Sequence, residues 1–331
     1  EDGAFLLWLG GPRPDAELAR WRDALWPLLH VVGLYTFRPD GVNRASQSGG
    51  ARLEAGAAGL TGTLVVSRRR AWVQSPTATV EKFDLNAKGW DGEPGGPGYP
   101  HFRWMRRFVG LYAPVSAGAR ILDFGCGAGW CGIEAAKRAA GASLRSFDPS
   151  PAMVEITGEN ARREGVADFE GRTGFGEDPP FPRGDEEAFD HVISSGVISF
   201  SPDPERWLDG LTRTVKPGGT LVIGDIQRDA AGFRRRRRKK PLLPVRELNA
   251  HTPADVRDGL VRRGFRLERG SGYQLTWPVP QVMHLNETRL RGVLTWPLLW
   301  ANQLAAGADR ALGGRVGSAF DSWVMHLTRG R

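Results

Sequence analysis

The chain has 331 residues, with 45 Lys and Arg against 37 Asp and Glu and a formal net charge of +8. That length holds one large domain with additions or two smaller ones, and the ordinary composition excludes a disordered or fibrous chain. Two cysteines, Cys126 and Cys131, exclude a disulfide framework and a complete zinc site, so a reducing, cytoplasmic setting is expected.

No signal peptide is recognisable, and the chain opens on Glu1-Asp2. The longest apolar stretches, 25–37 and 293–306, are broken by Pro27 and His30 and by Pro297, Asn302 and Gln303. Both fall short of the ~20 residues of a membrane span, so no transmembrane helix is expected. Residues 1–75 carry no motif. Pro14-Asp15 followed by residues 16–26 predicts a capped amphipathic helix, with Leu18, Trp21, Leu25 and Leu29 on one face. A Gly- and Ser-rich loop follows over 41–59, then a strand over 60–66. The stretch is expected to be an extension packed on the core, with a substrate cap or a dimer contact as alternatives.

Residues 120–124 form a short apolar run that suits a buried parallel strand. Glycines follow at 125, 127 and 129, then a helical segment over 131–138. Strand, glycine turn and helix together present backbone N–H groups and a helix N-terminus to a ligand. Spacing decides which ligand. A dinucleotide fingerprint reads G-x-G-x-x-G, and its third glycine would fall at 130, where the residue is Trp130. A nicotinamide enzyme is therefore disfavoured. Residues 142–147 read as a second strand ending at Asp148, 25 residues after Asp123. An acidic residue at about that distance is placed to take two ribose hydroxyls; the plainer alternative is a turn residue before Pro149.

The pattern Asp123, Gly125, Gly127, Gly129 resembles the first motif of the class I S-adenosylmethionine-dependent methyltransferases, in particular the small-molecule, ubiquinone-biosynthesis-like group. Residues 189–195 resemble the family's fourth strand, and Pro217-Gly218-Gly219 resembles the turn before a fifth strand at 220–225. The resemblance covers about residues 80–276 and resumes near the C-terminus. It implies a Rossmann-like α/β sheet, mostly parallel with an antiparallel last strand, built on residues 76–331. It also implies S-adenosylmethionine as cofactor, with S-adenosylhomocysteine as product. The cofactor-binding residues so implied are Asp123, Gly125, Cys126, Gly127 and Gly129 in the turn, Asp148, Pro149 and Met153 after strand two, and Ser195 at the end of strand four. Trp90 is the candidate aromatic to cover the cofactor, with plain core packing as the alternative, and the Gly- and Pro-rich residues 91–100 read as a lid.

Strand three is expected over 167–174, and the loop after it implies Glu177 or Asp178 near the adenine amine, although Phe175 stands where the family often has an acid. Asp178-Pro179-Pro180-Phe181 also matches the motif with which amino-methyltransferases hold a planar nitrogen. There the motif ends strand four, whereas here strand four comes later.

Past strand five, Arg234 to Lys240 are seven consecutive cations. Such a run repels itself and should be solvated; it is an inert loop, a contact for anionic lipid headgroups, or a contact for nucleic-acid phosphates. No aromatics interleave with it, which disfavours a base-stacking role. Thr252-Pro253 starts a helix that Gly264 stops. Strand six is expected in two pieces, 265–268 and 272–277, and strand seven over 322–328. Residues 227–251 and 278–318 are then insertions expected to cap the substrate, the second holding an apolar helix at 290–304 with Trp296 and Trp300. Of six histidines, His191 and His326 lie in predicted strands and are expected to be structural; His30 lies in the first apolar stretch. His101, His251 and His284, with Asp225 at the end of strand five, are comparable candidates for a base, and none is favoured.

The expected function is methyl transfer to a small, apolar or lipid-like acceptor by a cytoplasmic protein with peripheral membrane contact, nucleic acid being disfavoured. The alternatives are a nucleic-acid or protein amino-methyltransferase and a cofactor-binding scaffold without turnover.

Overall fold

The computed structural model describes residues 5–10, 29–38, 41–46, 62–69, 79–81, 83–84, 87, 106–182, 187–227, 230–231, 251–275, 300–301, 303–313 and 317–331. The chain divides into two compact units, Glu1–Ser75 with Phe233–Asn249 and Pro76–Gly232 with Ala250–Arg331.

The smaller unit contains a four-stranded antiparallel sheet of β1 (Phe5–Gly10), β2 (Leu29–Arg38), β3 (Gly41–Ser46) and β4 (Gly62–Arg69), in the order β1-β4-β2-β3. The strand expected over 60–66 is β4, begun two residues later. The helix expected over 16–26 lies outside the described residues.

The larger unit is a seven-stranded sheet in the order β10-β11-β9-β8-β5-β6-β7. Its elements are α1 (Arg106–Leu111), β5 (Arg120–Phe124), α2 (Trp130–Lys137), β6 (Ser143–Asp148), α3 (Pro151–Arg163), β7 (Asp168–Thr173), β8 (Phe189–Ser195), α4 (Pro204–Thr214), β9 (Val215–Ile226), α5 (Pro253–Arg262), β10 (Phe265–Leu275) and β11 (Phe320–Arg329). Strands β5 to β9 pair in parallel, and β11 runs antiparallel to both β9 and β10. The core is double. One face of the sheet packs Ile121, Leu144, Ile193, Val222 and Val324 with Val109, Ile133 and Ala161 of α1, α2 and α3. The other packs Leu122, Phe124, Val192, Leu221 and Trp323 with Trp207, Leu211, Val256 and Leu260 of α4 and α5. The alternation of β5 explains why both clusters share it: Ile121 and Leu122 point to opposite faces, and both are fully buried.

Helix starts follow their capping residues. Ser150 accepts from Met153 N at 3.2 Å ahead of Pro151, and Asp203 accepts from Arg206 N ahead of Pro204. Thr252 and Asp255 close a reciprocal capping box on α5, with bonds of 3.1 and 3.2 Å. Thr252→Ala is expected to cost about 1 kcal/mol, measured as a lower urea midpoint at unchanged m-value.

Two boundaries differ from expectation. The Pro217-Gly218-Gly219 turn lies inside the span of β9 rather than before it: Val215 already stands opposite Phe189, Gly218 has φ 75°, and the pairing with β8 shifts register before His191 and Thr220. Strand six is one strand, because its irregularity between Leu267 and Arg269 interrupts the alternation without ending the pairing with β11. Of the second insertion, residues 303–311 are helical. Asp309 is fully buried and accepts from Gly272 N at 3.0 Å, and Ser271 Oγ donates to the Ala306 carbonyl. That end of the insertion is fastened to β10, at the edge of the sheet.

Candidate functional site

From β5 the chain builds outward through β6 and β7, then crosses back to β8 on the other side of β5. This reversal opens a crevice at the carboxyl ends of the strands, where open α/β sheets bind ligands. The glycine turn lies there. Gly125 N and Cys126 N both donate to the Phe147 carbonyl, at 3.0 and 2.9 Å, tying the turn to β6. Gly125 and Gly129 have φ of 74° and 82°, and a Cβ on either would lie 2.6 Å from Val197 or Thr157. Glycine is thus required twice over, by conformation and by space. From α3, Thr157 Oγ1 donates to the Gly127 carbonyl at 2.6 Å, and Asn160 Nδ2 donates to the Ala128 carbonyl at 2.9 Å.

Asp148 ends β6 beside this turn. One carboxylate oxygen accepts from Gly127 N and the other from Ser150 N, each at 3.0 Å. Burial pushes its pKa up to about 6 against the pull of those two N–H groups, and Asp84 adds to the rise. Asp123 is a different kind of group. It accepts from Gly132 N at 2.8 Å, fastening the first turn of α2 to β5, and burial lifts its pKa to about 7.

The cleft, about 740 Å³ of empty space, is lined by Gly125, Cys126, Gly127, Asp148, Pro149, Met153 and Ser195 from the expected set, joined by Thr79, Phe83, Arg106, Ala128, Trp130, Cys131, Gly196, Val197 and Phe200. Arg106 Nη1 donates to Ser195 Oγ at 2.9 Å, bringing a cation to the lining of the cleft. An apolar slot continues from the cleft, lined by Phe124, Phe147, Phe175, Val197, Phe200, Pro202 and Trp207, with Glu177 at its edge. Glu177 accepts from Ser201 Oγ. Both cysteine thiols are buried, and burial pushes their pKa values well above the usual range, so they are neutral packing groups.

Several expected residues lie elsewhere. Asp123 and Gly129 are behind the turn, holding it rather than facing the cleft. Asp178 is exposed, its N–H bonded to the Phe175 carbonyl. Trp90 and the 91–100 loop lie outside the described residues, as do His101, His284 and the 234–240 run. The Asp-Pro-Pro-Phe segment follows β7, not β8; Pro180 packs on Gly174, and Phe181 is buried against Phe189 under the Arg172 guanidinium. It is a packing unit and cannot clamp a nitrogen at the cleft. Asp225 is fully buried, and its carboxylate accepts from Ser199 N and Oγ at 3.1 and 3.2 Å. It anchors the turn Ile198–Phe200, which positions Phe200 in the cleft wall. His191 and His326 sit in strands, and burial lowers the pKa of both. Arg106, Val197 and Phe200 escaped the sequence analysis because no motif marks them; they converge from α1 and from the loop after β8 only in the folded chain.

Residues 122–223 match the model of the methyltransferase domain family. Within the larger unit, residues 122–223 thus resemble a methyltransferase domain, carried on a Rossmann-like, mostly parallel sheet. A ubiquinone biosynthesis O-methyltransferase of Xylella fastidiosa strain 9a5c is 30% identical over 162 residues, 46% of this chain and 61% of that protein. An arsenite methyltransferase of Halobacterium salinarum is 30% identical over 120 residues, 36% of this chain and 30% of that protein. These matches span under two thirds of either relative's length. The structure of a magnesium protoporphyrin IX methyltransferase from Synechocystis PCC 6803, with bound S-adenosylhomocysteine, shares the fold, with a TM-score of 0.52, 15% identity, and coverage of 77% of this chain and 100% of that one. The larger unit thus shares its fold with that neighbour, and the match to the methyltransferase domain family spans β5 to β9 of its sheet.

Proposed function

We propose that this cleft holds S-adenosylmethionine and that the domain methylates a small, apolar acceptor of the quinol or lipid-like class. The single observation that carries the cofactor assignment is Asp148: a buried carboxylate whose two N–H partners fix it at the mouth of a left-handed glycine turn, leaving its remaining lone pairs toward the cleft. The residues present fit the group. Asp148 takes the ribose hydroxyls, the Phe124–Trp207 slot takes the flat base with Glu177 at its edge, and Arg106 takes the amino-acid carboxylate. When bound, the cofactor supplies an electrophilic methyl group.

The chain's own work is alignment and exclusion of water. Ser195 holds the Arg106 guanidinium, Asp225 holds the turn that carries Phe200, and Phe83, Val197 and Phe200 form an apolar wall. The ionisable residues lining the cleft among the described ones are Arg106, Cys126, Cys131, Asp148 and Glu177. The thiols are held neutral and the carboxylates are committed to binding, so none of these is a base. This favours an acceptor that brings its own readily ionised hydroxyl, and the Xylella relative is named as an O-methyltransferase.

Calorimetric titration of S-adenosylhomocysteine tests the cofactor, and transfer of labelled methyl to a panel of quinols and lipids tests the reaction. No binding would sink the assignment; binding without turnover would leave a cofactor-binding scaffold. Arg106→Gln is expected to weaken S-adenosylhomocysteine by about 1.5–3 kcal/mol while leaving adenosine, which lacks the carboxylate, unaffected.

A further inference from the structure

We propose that the smaller unit docks the protein on anionic lipid bilayers. The charge of the chain is divided unevenly between its two units. Residues 1–75 and 233–249 hold 17 Lys and Arg against 8 Asp and Glu, a net of +9; the remainder holds 28 against 29, a net of −1. The positive balance of the whole protein therefore resides in the smaller unit, while the described cleft residues all belong to the larger one. Charge asymmetry on this scale marks a polyanionic partner.

An apolar feature accompanies the charge. Leu6 and Trp8 are 62% and 44% exposed. They are two residues apart on β1, so they share a face, and they stand opposite Val66 and Leu64 of β4. β1 is an edge strand of its sheet. Nucleic acid would account for the cations but gives an exposed leucine nothing to do. An apolar protein surface would account for Leu6 and Trp8 but not for a net of +9. An anionic bilayer takes both: headgroups attract the cations, and the tryptophan ring prefers the boundary between headgroups and acyl chains. The contact proposed is a peripheral one, and no helix among the described residues is long and apolar enough to cross a membrane.

Each cation held near an anionic surface raises partitioning roughly fivefold, an effect that salt screens. The test is co-sedimentation of the full chain with phosphatidylcholine vesicles made with and without phosphatidylglycerol. Binding is expected only with the anionic lipid and should fall as salt is raised. Leu6→Ser with Trp8→Ser should lower it about tenfold at an unchanged circular dichroism spectrum. Arg235→Gln, Arg236→Gln and Arg237→Gln together should lower it about a hundredfold. Absence of binding to anionic vesicles overturns the proposal, as does binding indifferent to the Leu6 and Trp8 changes in a folded variant. Should that variant not fold, the arginine variant decides, and unchanged binding overturns the proposal. Capture of a single-stranded RNA oligonucleotide in preference to the vesicles would assign the charge to nucleic acid instead.

Discussion

Asp148→Ala is expected to weaken S-adenosylhomocysteine binding by about 3 kcal/mol, on the order of a hundredfold in Kd, because two charge-assisted hydrogen bonds are lost together. Asp148→Asn keeps the shape and one acceptor and should fall between the variant and wild type. The pH dependence has two opposite arms. In the free protein the folded state holds the Asp148 proton more tightly than the unfolded chain does, since burial raises its pKa from 3.8 to about 6. The stability this proton contributes is complete below about 3.8 and is lost as pH rises through about 6. Ligand binding runs the other way. Ribose hydroxyls donate to the ionised carboxylate, so affinity should be full above about pH 6 and drop by up to tenfold per unit below it. Titrations from pH 5 to 8 on wild type and Asp148→Asn test this directly. A slope shared by both proteins would assign the titration to another group, of which Asp123, with its pKa near 7, is the first to examine.

What could be read from the sequence was what local chemistry encodes. β5 and β8 have the expected bounds, and Ser143–Asp148 and Asp168–Thr173 differ from expectation by a residue at one or both ends. A central buried parallel strand such as β5 is largely apolar, and the glycines that end it are equally local. The helix starts at Ser150-Pro151 and Thr252-Pro253 are written in the same way. The small sheet was less legible. Of its four strands only β4 was expected, because antiparallel pairing between segments as distant as β1 and β4 leaves no mark on either alone. The cleft divides along the same line. Asp148 announced itself through its distance from a glycine turn. Arg106 did not, since its role depends on Ser195, 89 residues away. Asp123 carries a contact that the motif alone does not announce, with the α2 backbone at Gly132, because a motif does not distinguish a residue that touches a ligand from one that holds the turn. Trp300 and Leu304, expected in a covered helix, are 64% and 61% exposed.

Trp207→Ala carries the largest expected cost to stability. The indole is 2% exposed and packs edge-on against Phe124 at 5.0 Å, which in turn packs edge-on against Phe147 at 4.6 Å. Its ring edge lies so close to Gly176 that even a Cβ there would come within 2.2 Å of Nε1. The surroundings are poorly placed to collapse into the space, because α4 is held by its Asp203 cap on one side and Gly176 is followed by a proline-stiffened segment anchored by the buried Phe181 on the other. Loss of the transfer free energy and retention of the cavity together predict about 3–5 kcal/mol, measured by urea unfolding. The consequence reaches the cleft, since Trp207 and Phe124 are two walls of the slot assigned to the base. Adenosine should therefore bind more weakly to Trp207→Ala even at temperatures where the variant is folded, whereas Thr252→Ala, far from the slot, should leave adenosine affinity unchanged. An adenosine affinity equal to wild type in folded Trp207→Ala would show that the slot does not receive the base, and would move the adenine elsewhere along the cleft.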